Sequence, residues 1–513
     1  MRIAIIYPPI TRNGKTPLLG QNRQFKYTNS RQIKIFPLVP ASMATMLKQN
    51  GHEVLWLDAI NKPIHDSQFT INNFKPDIIV IETKAPIIKE HWKYINELRT
   101  PNSELRIVLV GDHVSFFPEE SLENSEADYV VTGGDYDITV SLLVKHLEDS
   151  TVPMPAGVHY KCGMRSAECG VKEQKDKSGM YEFRVPNSEF RIENTGKPEL
   201  YPDLDSLPFI DRELTDFRTY GEAYLYRPVA YILSGRGCGR EGKEIGGVCT
   251  FCIWQHAFWQ KKARLRSPAN TAEEVEMLIK KYGVYEIFDD NESGAIWNRE
   301  WLEGFLAEIE KRNIKGRFRI SSNARAEDLT EEKCALMKNI GYRLLKVGLE
   351  SGNSGTIKKI GKLETIEVIK ENIKRAKRYG FKILMTMMVG YPWETAEDAK
   401  RTFETAKELM LYKTHFGDSL QASIIMPYPG TPLYKEAKEK GWLTEAAADY
   451  ENFDMEHDIL KSDIDTAYWC RKIWGIHKHP LFLFKSLITI RNMRDFGLAM
   501  RGLSSLLGHV KDY

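Results

Sequence analysis

At 513 residues the chain is too long for one ordinary hydrophobic core, so several domains are expected. Its 72 Lys and Arg against 70 Asp and Glu leave a net charge of +2, which gives no electrostatic case for nucleic acid or an anionic membrane as a partner. No apolar run reaches the length of a membrane span, and Met1-Arg2-Ile3-Ala4-Ile5-Ile6 reads as a buried strand rather than a signal peptide; no integral membrane segment and a cytoplasmic location are expected.

Residues 1–150 alternate strand and helix. Strands are predicted at Arg2–Tyr7, His52–Asp58, Asp77–Ile81, Arg106–Val110 and Asp128–Thr132, with a helix at Val39–Gln49 closed by Gly51. Short apolar strands between helices imply a doubly wound, Rossmann-like α/β domain whose parallel sheet is covered on both faces. A ligand would lie at the carboxyl ends of those strands. The candidate binding positions there are Tyr7, Pro8, Glu82, Thr83, Gly111, His113 and Gly133.

Residues 151–227 read as a linker that wraps between domains, and Cys162 and Cys169 within it as incidental thiols. Residues 228–445 repeat strand then helix, as most of a (β/α)6 TIM-type barrel does, with functional loops at the strand carboxyl ends. Strands are predicted at Pro228–Leu233, Tyr285–Phe288, Phe318–Ser321, Leu344–Gly348, Lys382–Val389 and Ser419–Met426. Gly283, Gly341 and Gly380 lie just past helix ends. Residues 446–513 read as a helical region. Leu481–His509 carries apolar residues at helical spacing with Lys485, Arg491, Arg494 and Arg501 between them, the pattern of helices packed on a barrel or, less commonly, of peripheral membrane contact.

The chain has seven cysteines, too few for a disulfide scaffold at this length, and three of them cluster. Cys238 follows the first barrel strand in Ser234-Gly235-Arg236-Gly237-Cys238, and Cys249-Thr250-Phe251-Cys252 comes ten residues later. Three thiolates hold three irons of a 4Fe–4S cluster and leave the fourth iron open. Zinc with His256 as a fourth ligand is the competing reading.

This constellation resembles the radical S-adenosylmethionine (SAM) superfamily over residues 228–445. The resemblance implies that Cys238, Cys249 and Cys252 are cluster ligands and catalytic, and that the open iron binds SAM. It departs from the family's Cys-x-x-x-Cys spacing by the longer insert Gly239–Val248. Downstream segments fit in order. Asp289-Asp290-Asn291-Glu292 matches where the family approaches the SAM ammonium, through Asp290 and Asn291. Ser321-Ser322-Asn323-Ala324-Arg325 resembles the ribose and carboxylate segment, through Ser322, Asn323 and Arg325. Gly348-Leu349-Glu350-Ser351-Gly352 resembles the Gly-x-Glu-Ser-Gly turn, with Gly348 and Glu350 as SAM-binding positions. Gly390-Tyr391-Pro392-Trp393-Glu394-Thr395 and Pro427-Tyr428-Pro429-Gly430-Thr431-Pro432 fit the later turns.

The N-terminal region, from Phe36-Pro37-Leu38-Val39-Pro40-Ala41 through Gly111-Asp112-His113 to Thr132-Gly133, resembles the cobalamin-binding domain fused to many such enzymes. The Asp-x-His-x-x-Gly motif that supplies cobalt with a histidine elsewhere is absent from the first loop. His113 is therefore expected to be a pocket wall or hydrogen-bonding residue, and cobalt's lower ligand stays unassigned. The cofactors implied are a 4Fe–4S cluster, SAM and cobalamin. The function implied is methylation of an unactivated carbon, with one SAM giving a methyl group by way of cobalamin and a second giving a 5′-deoxyadenosyl radical. Family substrates include antibiotics, lipids and residues of peptides or proteins such as methyl-coenzyme M reductase, with electrons from a flavodoxin or ferredoxin. The alternatives are a cobalamin-dependent oxidase or cyclase without net methylation, and a non-catalytic cobalamin-binding partner protein.

Overall fold

The computed structural model describes residues 1–19, 25–28, 33–62, 67–99, 104–163, 190–238, 248–362 and 364–509, without the side chains of 503–509. Contacts divide the chain into two compact units, neither continuous in sequence.

The first unit comprises Met1–Thr11, Val39–Tyr201 and Leu207–Thr215. Five parallel strands run in the order Glu53–Asp58, Arg2–Tyr7, Ile78–Thr83, Arg106–Gly111, Tyr129–Val131, which is 2-1-3-4-5 in chain order. Every residue of Ile78–Thr83 is buried, as a strand covered on both faces requires. Order reverses between the first and third strands, and in a doubly wound sheet the ligand crevice opens at that point. Part of the segment expected as a linker belongs to this sheet: Val158–Gly163 and Phe190–Asn194 add two antiparallel strands beside Tyr129–Val131. Cys162, on the first of them, is disulfide-bonded, which corrects the reading as a free thiol; Cys169 lies outside the described residues.

The second unit comprises Arg12–Leu38, Pro202–Ser206 and Asp216–Tyr513. The loop after Tyr7 and Pro8 thus leaves the first sheet: Arg12 pairs with Glu451 at 3.1 Å, and the Phe25 N–H donates to the Tyr428 hydroxyl at 2.6 Å. The core of this unit is a six-stranded parallel sheet in sequential order, Val229–Ile232, Glu286–Asp289, Arg319–Ala324, Tyr342–Glu350, Lys382–Val389 and Ser419–Ile424. Helices Pro268–Tyr282, Arg299–Lys311, Glu331–Ile340, Ile366–Arg378 and Ala396–Leu411 return the chain between strands. Their starts are set by side chains that satisfy free backbone N–H groups. The Ser267 hydroxyl accepts from Asn270, and Thr395 and Asp398 form a reciprocal capping box. Gly283 ends the first helix in the left-handed conformation, φ 66°, where a side chain would be strained. Six such units form a partial barrel with all strand carboxyl ends at one rim. The C-terminal part is helical, as expected, with Thr466–Trp474 packed beside Ser419–Ile424 and followed by Pro480–Leu487 and Met493–His509.

Candidate cluster and cofactor site

The loop that carries Cys238 is held by two carboxylates. Asp289, at the end of the second barrel strand, accepts from the Ser234 N–H at 3.0 Å and from its hydroxyl at 2.6 Å. Glu292, three residues on, accepts from the Gly237 N–H at 2.7 Å and the Trp259 indole N–H at 2.6 Å. One side chain therefore clamps the backbone before Cys238 to the segment after Cys252. Gly237 has φ 95°, and a Cβ there would lie 1.9 Å from the Lys262 carbonyl oxygen, so this position tolerates only glycine.

The Cys249–Cys252 turn is closed by a bond from the Cys252 N–H to the Cys249 carbonyl at 3.0 Å. Thr250 fastens it to two other rim loops: its N–H donates to Ile360 at 3.0 Å and its carbonyl accepts from Leu433 at 3.1 Å. Cys238 Sγ lies 4.0 Å from the Arg325 guanidinium. Burial pushes the Cys249 thiol up to about 12, opposed by the nearby Lys362 ammonium and reinforced by Glu350, Cys252 and Cys238. Three sulfur donors suit three irons of a 4Fe–4S cluster. No group of three or more His, Cys, Asp or Glu among the described residues converges on a single ion. Cluster cysteines bind separate irons and need not converge. His256 does not complete a zinc site here; its Nε2 lies 3.3 Å from the Cys249 carbonyl oxygen.

The residues expected to meet SAM lie on neighbouring strand ends. Asn323 donates to Asp290 Oδ1 at 3.0 Å and to the Asn291 carbonyl at 2.9 Å, joining the ends of the second and third strands. Asn291 is 1% exposed, and its Oδ1 is a buried acceptor with no partner among the described residues, which suits an ammonium. The Ser322 hydroxyl instead donates to the Asn323 carbonyl at 3.0 Å. Arg325 pairs with Glu327 at 2.7 Å while its other end faces Cys238. Glu350 has φ 63°, a left-handed conformation rare outside glycine, and its carboxylate folds back over Gly348. There it meets Lys362 at 3.0 Å, a residue that the sequence reading passed over. The buried Tyr391 hydroxyl, from the fifth turn, also lacks a partner among the described residues.

Trp254, Phe258 and Trp259 pack on one another: the Trp254 and Phe258 rings meet edge to face at 5.0 Å, and all three are buried. The Arg236 and Arg264 guanidinium groups lie over the Trp259 ring.

In the first unit, the Tyr7 hydroxyl donates to Glu82 at 2.5 Å across the point where strand order reverses, and Tyr136 donates to the other Glu82 oxygen at 2.8 Å. Burial raises the Glu82 carboxyl, with Lys84 and the two phenols opposing. Thr83 is 1% exposed, and its hydroxyl is buried without a partner among the described residues at the same edge. Gly111 has φ 127°, with no room for a Cβ against Thr83. His113 Nε2 is 3.1 Å from Glu120, and Gly133 donates to Ser115 at 3.1 Å. Pro8 is buried at the end of the first strand. An orphaned hydroxyl on a glycine-bordered sheet edge fits a nucleotide-like tail.

A three-cysteine loop on the rim of a partial β/α barrel, in a chain that also folds a doubly wound unit, defines an enzyme built around two cofactor domains. Residues 232–406 match the family model of the Radical SAM superfamily, and residues 29–143 match that of the B12 binding domain. The chain joins a B12-binding domain to a radical SAM domain, and the cofactors implied are a 4Fe–4S cluster, SAM and cobalamin. An uncharacterized methyltransferase of Pyrococcus horikoshii is 24% identical over 413 residues, 78% of either chain. The anaerobic magnesium-protoporphyrin IX monomethyl ester cyclase of Rubrivivax gelatinosus is 24% identical over 83% of this chain and 70% of its own. The radical SAM methyltransferase TsrM of Kitasatospora setae, solved with cobalamin and a [4Fe-4S] cluster bound, shares the fold: TM-score 0.64 over 99% of both chains, at 15% identity.

Proposed function

We propose that this chain is a cobalamin-dependent radical SAM C-methyltransferase. The observation that carries the reading is the presence, in one chain, of a B12-binding domain and a barrel rim bearing Cys238, Cys249 and Cys252. The methyltransferase relative supports it. The bound cofactors supply the radical and the methyl carrier. The protein's part is to hold and orient. Cys238, Cys249 and Cys252 grip three irons and leave the fourth for SAM. Asp290 and Asn291 receive the SAM ammonium, Ser322 and Asn323 border its ribose, and Arg325 balances its carboxylate. Gly348 admits the Glu350 carboxylate to the same pocket. On the other domain Tyr7, Pro8, Glu82, Thr83, Gly111, His113 and Gly133 form the cobalamin edge. The substrate is a carbon of a peptide, a protein or a natural product, and a flavodoxin or ferredoxin supplies electrons in the cytoplasm.

The cyclase relative favours a second reading, oxidation with ring closure and no methyl gain. Reconstituted protein given SAM, hydroxocobalamin and a low-potential reductant separates the two. Methyl transfer yields S-adenosylhomocysteine together with 5′-deoxyadenosine. Deoxyadenosine in step with product, without homocysteine, assigns the cyclase chemistry. Neither nucleoside product leaves a non-catalytic cobalamin-binding protein.

A further inference from the structure

The two C-terminal helices are amphipathic with the polarity reversed. On Pro480–Leu487 the inward face carries the anchors. Phe482 is buried against the His477 ring, the Lys485 ammonium donates to the Leu411 carbonyl at 2.9 Å, and Thr489, just beyond, accepts from the Phe416 N–H at 2.7 Å. The outward face carries Phe484, Leu487 and Ile488, exposed by 61%, 64% and 64%, beside the exposed Leu481 and Leu483. On Met493–His509 the pattern repeats. Leu498 and Asp495 are buried, while Met493, Phe496 and Met500, at helical spacing, are exposed by 81%, 54% and 54%. Contiguous exposed apolar strips mark interaction surfaces.

Charge identifies the partner. Of the seven Lys and Arg between Thr466 and His509, Lys485 and Arg501 donate inward to the Leu411 and Leu225 carbonyls, and the one acidic residue is Asp495. Asp495 is turned inward, bound by the Tyr226 hydroxyl and the Arg491 N–H, so this segment presents no acidic group to solvent. Lys478 and Arg491 are exposed beside the apolar strips. No described helix is long and apolar enough to cross a membrane. We infer that Pro480–Leu487 and the start of Met493–His509 dock the protein on an anionic lipid surface, apolar side chains entering the headgroup boundary and cations meeting the phosphates. Apolar area combined with local basic charge is how interfacial helices bind, and a near-neutral whole-chain charge does not oppose it.

Co-sedimentation of the full-length, cluster-loaded protein with lipid vesicles tests this. Vesicles of phosphatidylcholine mixed with phosphatidylglycerol should pellet the protein, and phosphatidylcholine alone should pellet at least about tenfold less. The triple change Phe484→Ser, Leu487→Ser, Ile488→Ser should weaken partitioning by about tenfold or more, and Met493→Ser by a smaller factor. Lys478→Glu with Arg491→Glu should remove the preference for the anionic lipid. Unchanged iron content and melting temperature certify that each variant is folded. Wild-type protein left in the supernatant with both vesicle types overturns the inference. So does a dimer of the chain that the triple variant converts to monomer, since a second copy then covers the face.

Discussion

The Glu350 carboxylate and the Lys362 ammonium form an ion pair of 3.0 Å at the carboxyl end of the fourth barrel strand, and Lys362 also donates to the Gly348 carbonyl at 2.6 Å. Both side chains are largely buried, so each charge depends on the other. Lys362→Met leaves the carboxylate unpaired and should lower stability by about 3 kcal/mol, read from denaturant unfolding. SAM affinity, measured by equilibrium dialysis on reconstituted protein, should fall about tenfold. Adding Glu350→Gln should restore stability but not SAM affinity; recovery of both would reduce Lys362 to a scaffold role.

Glu292 joins Gly237 to Trp259 through two hydrogen bonds, of 2.7 and 2.6 Å. Glu292→Ala leaves both donors unsatisfied, at a cost of about 2 to 4 kcal/mol. The expected outcome is a cluster that assembles but loses iron faster to a chelator than in wild type, with cobalamin uptake unchanged. Equal iron loss in both proteins contradicts the clamp.

Gly111→Ala places a methyl group 2.2 Å from the Thr83 carbonyl oxygen at a backbone φ of 127°. The strain should cost about 3 kcal/mol or more and disrupt the edge that carries Thr83. Hydroxocobalamin binding, followed by its visible absorbance, should be lost while iron loading persists.

His91 is fully buried on helix Ile88–Arg99 with neither ring nitrogen hydrogen-bonded among the described residues, and burial lowers its pKa to about 3. The unfolded chain binds a proton there below its ordinary value of about 6.5, and the folded chain does not. This contribution to stability is therefore complete above that value and declines as pH falls toward about 3. His91→Leu should flatten the melting-temperature profile between those limits. An unchanged acid limb in the variant contradicts the assignment.

The alternation of strand and helix was readable because the core strands of both sheets are parallel and buried, so they are short apolar runs. The cysteine loop was readable because its glycines and thiols are adjacent in sequence. What escaped depends on distant pairs. Lys362 follows Gly361 in an ordinary turn, and nothing local marks its pairing with Glu350. Glu292 sat in view after the second strand, yet its bonds go to Gly237 and Trp259 rather than to a ligand. The strand Val158–Gly163 reads Val-His-Tyr-Lys-Cys-Gly, too polar to stand out in a segment expected as linker. Along Leu481–His509 the apolar period identified helices but not which face they turn to solvent. Lys485 and Thr489 decide that through carbonyl and N–H partners far along the chain.

In the proposed enzyme Cys238, although ten residues separate it from Cys249, shares one cluster with Cys249 and Cys252. The most direct measurement is iron and sulfide per chain after anaerobic reconstitution, wild type against Cys238→Ala. About four of each are expected in the wild type, with loss of the brown 4Fe–4S absorbance in the variant and cobalamin still bound. A Cys238→Ala protein that retains a full cluster would contradict it.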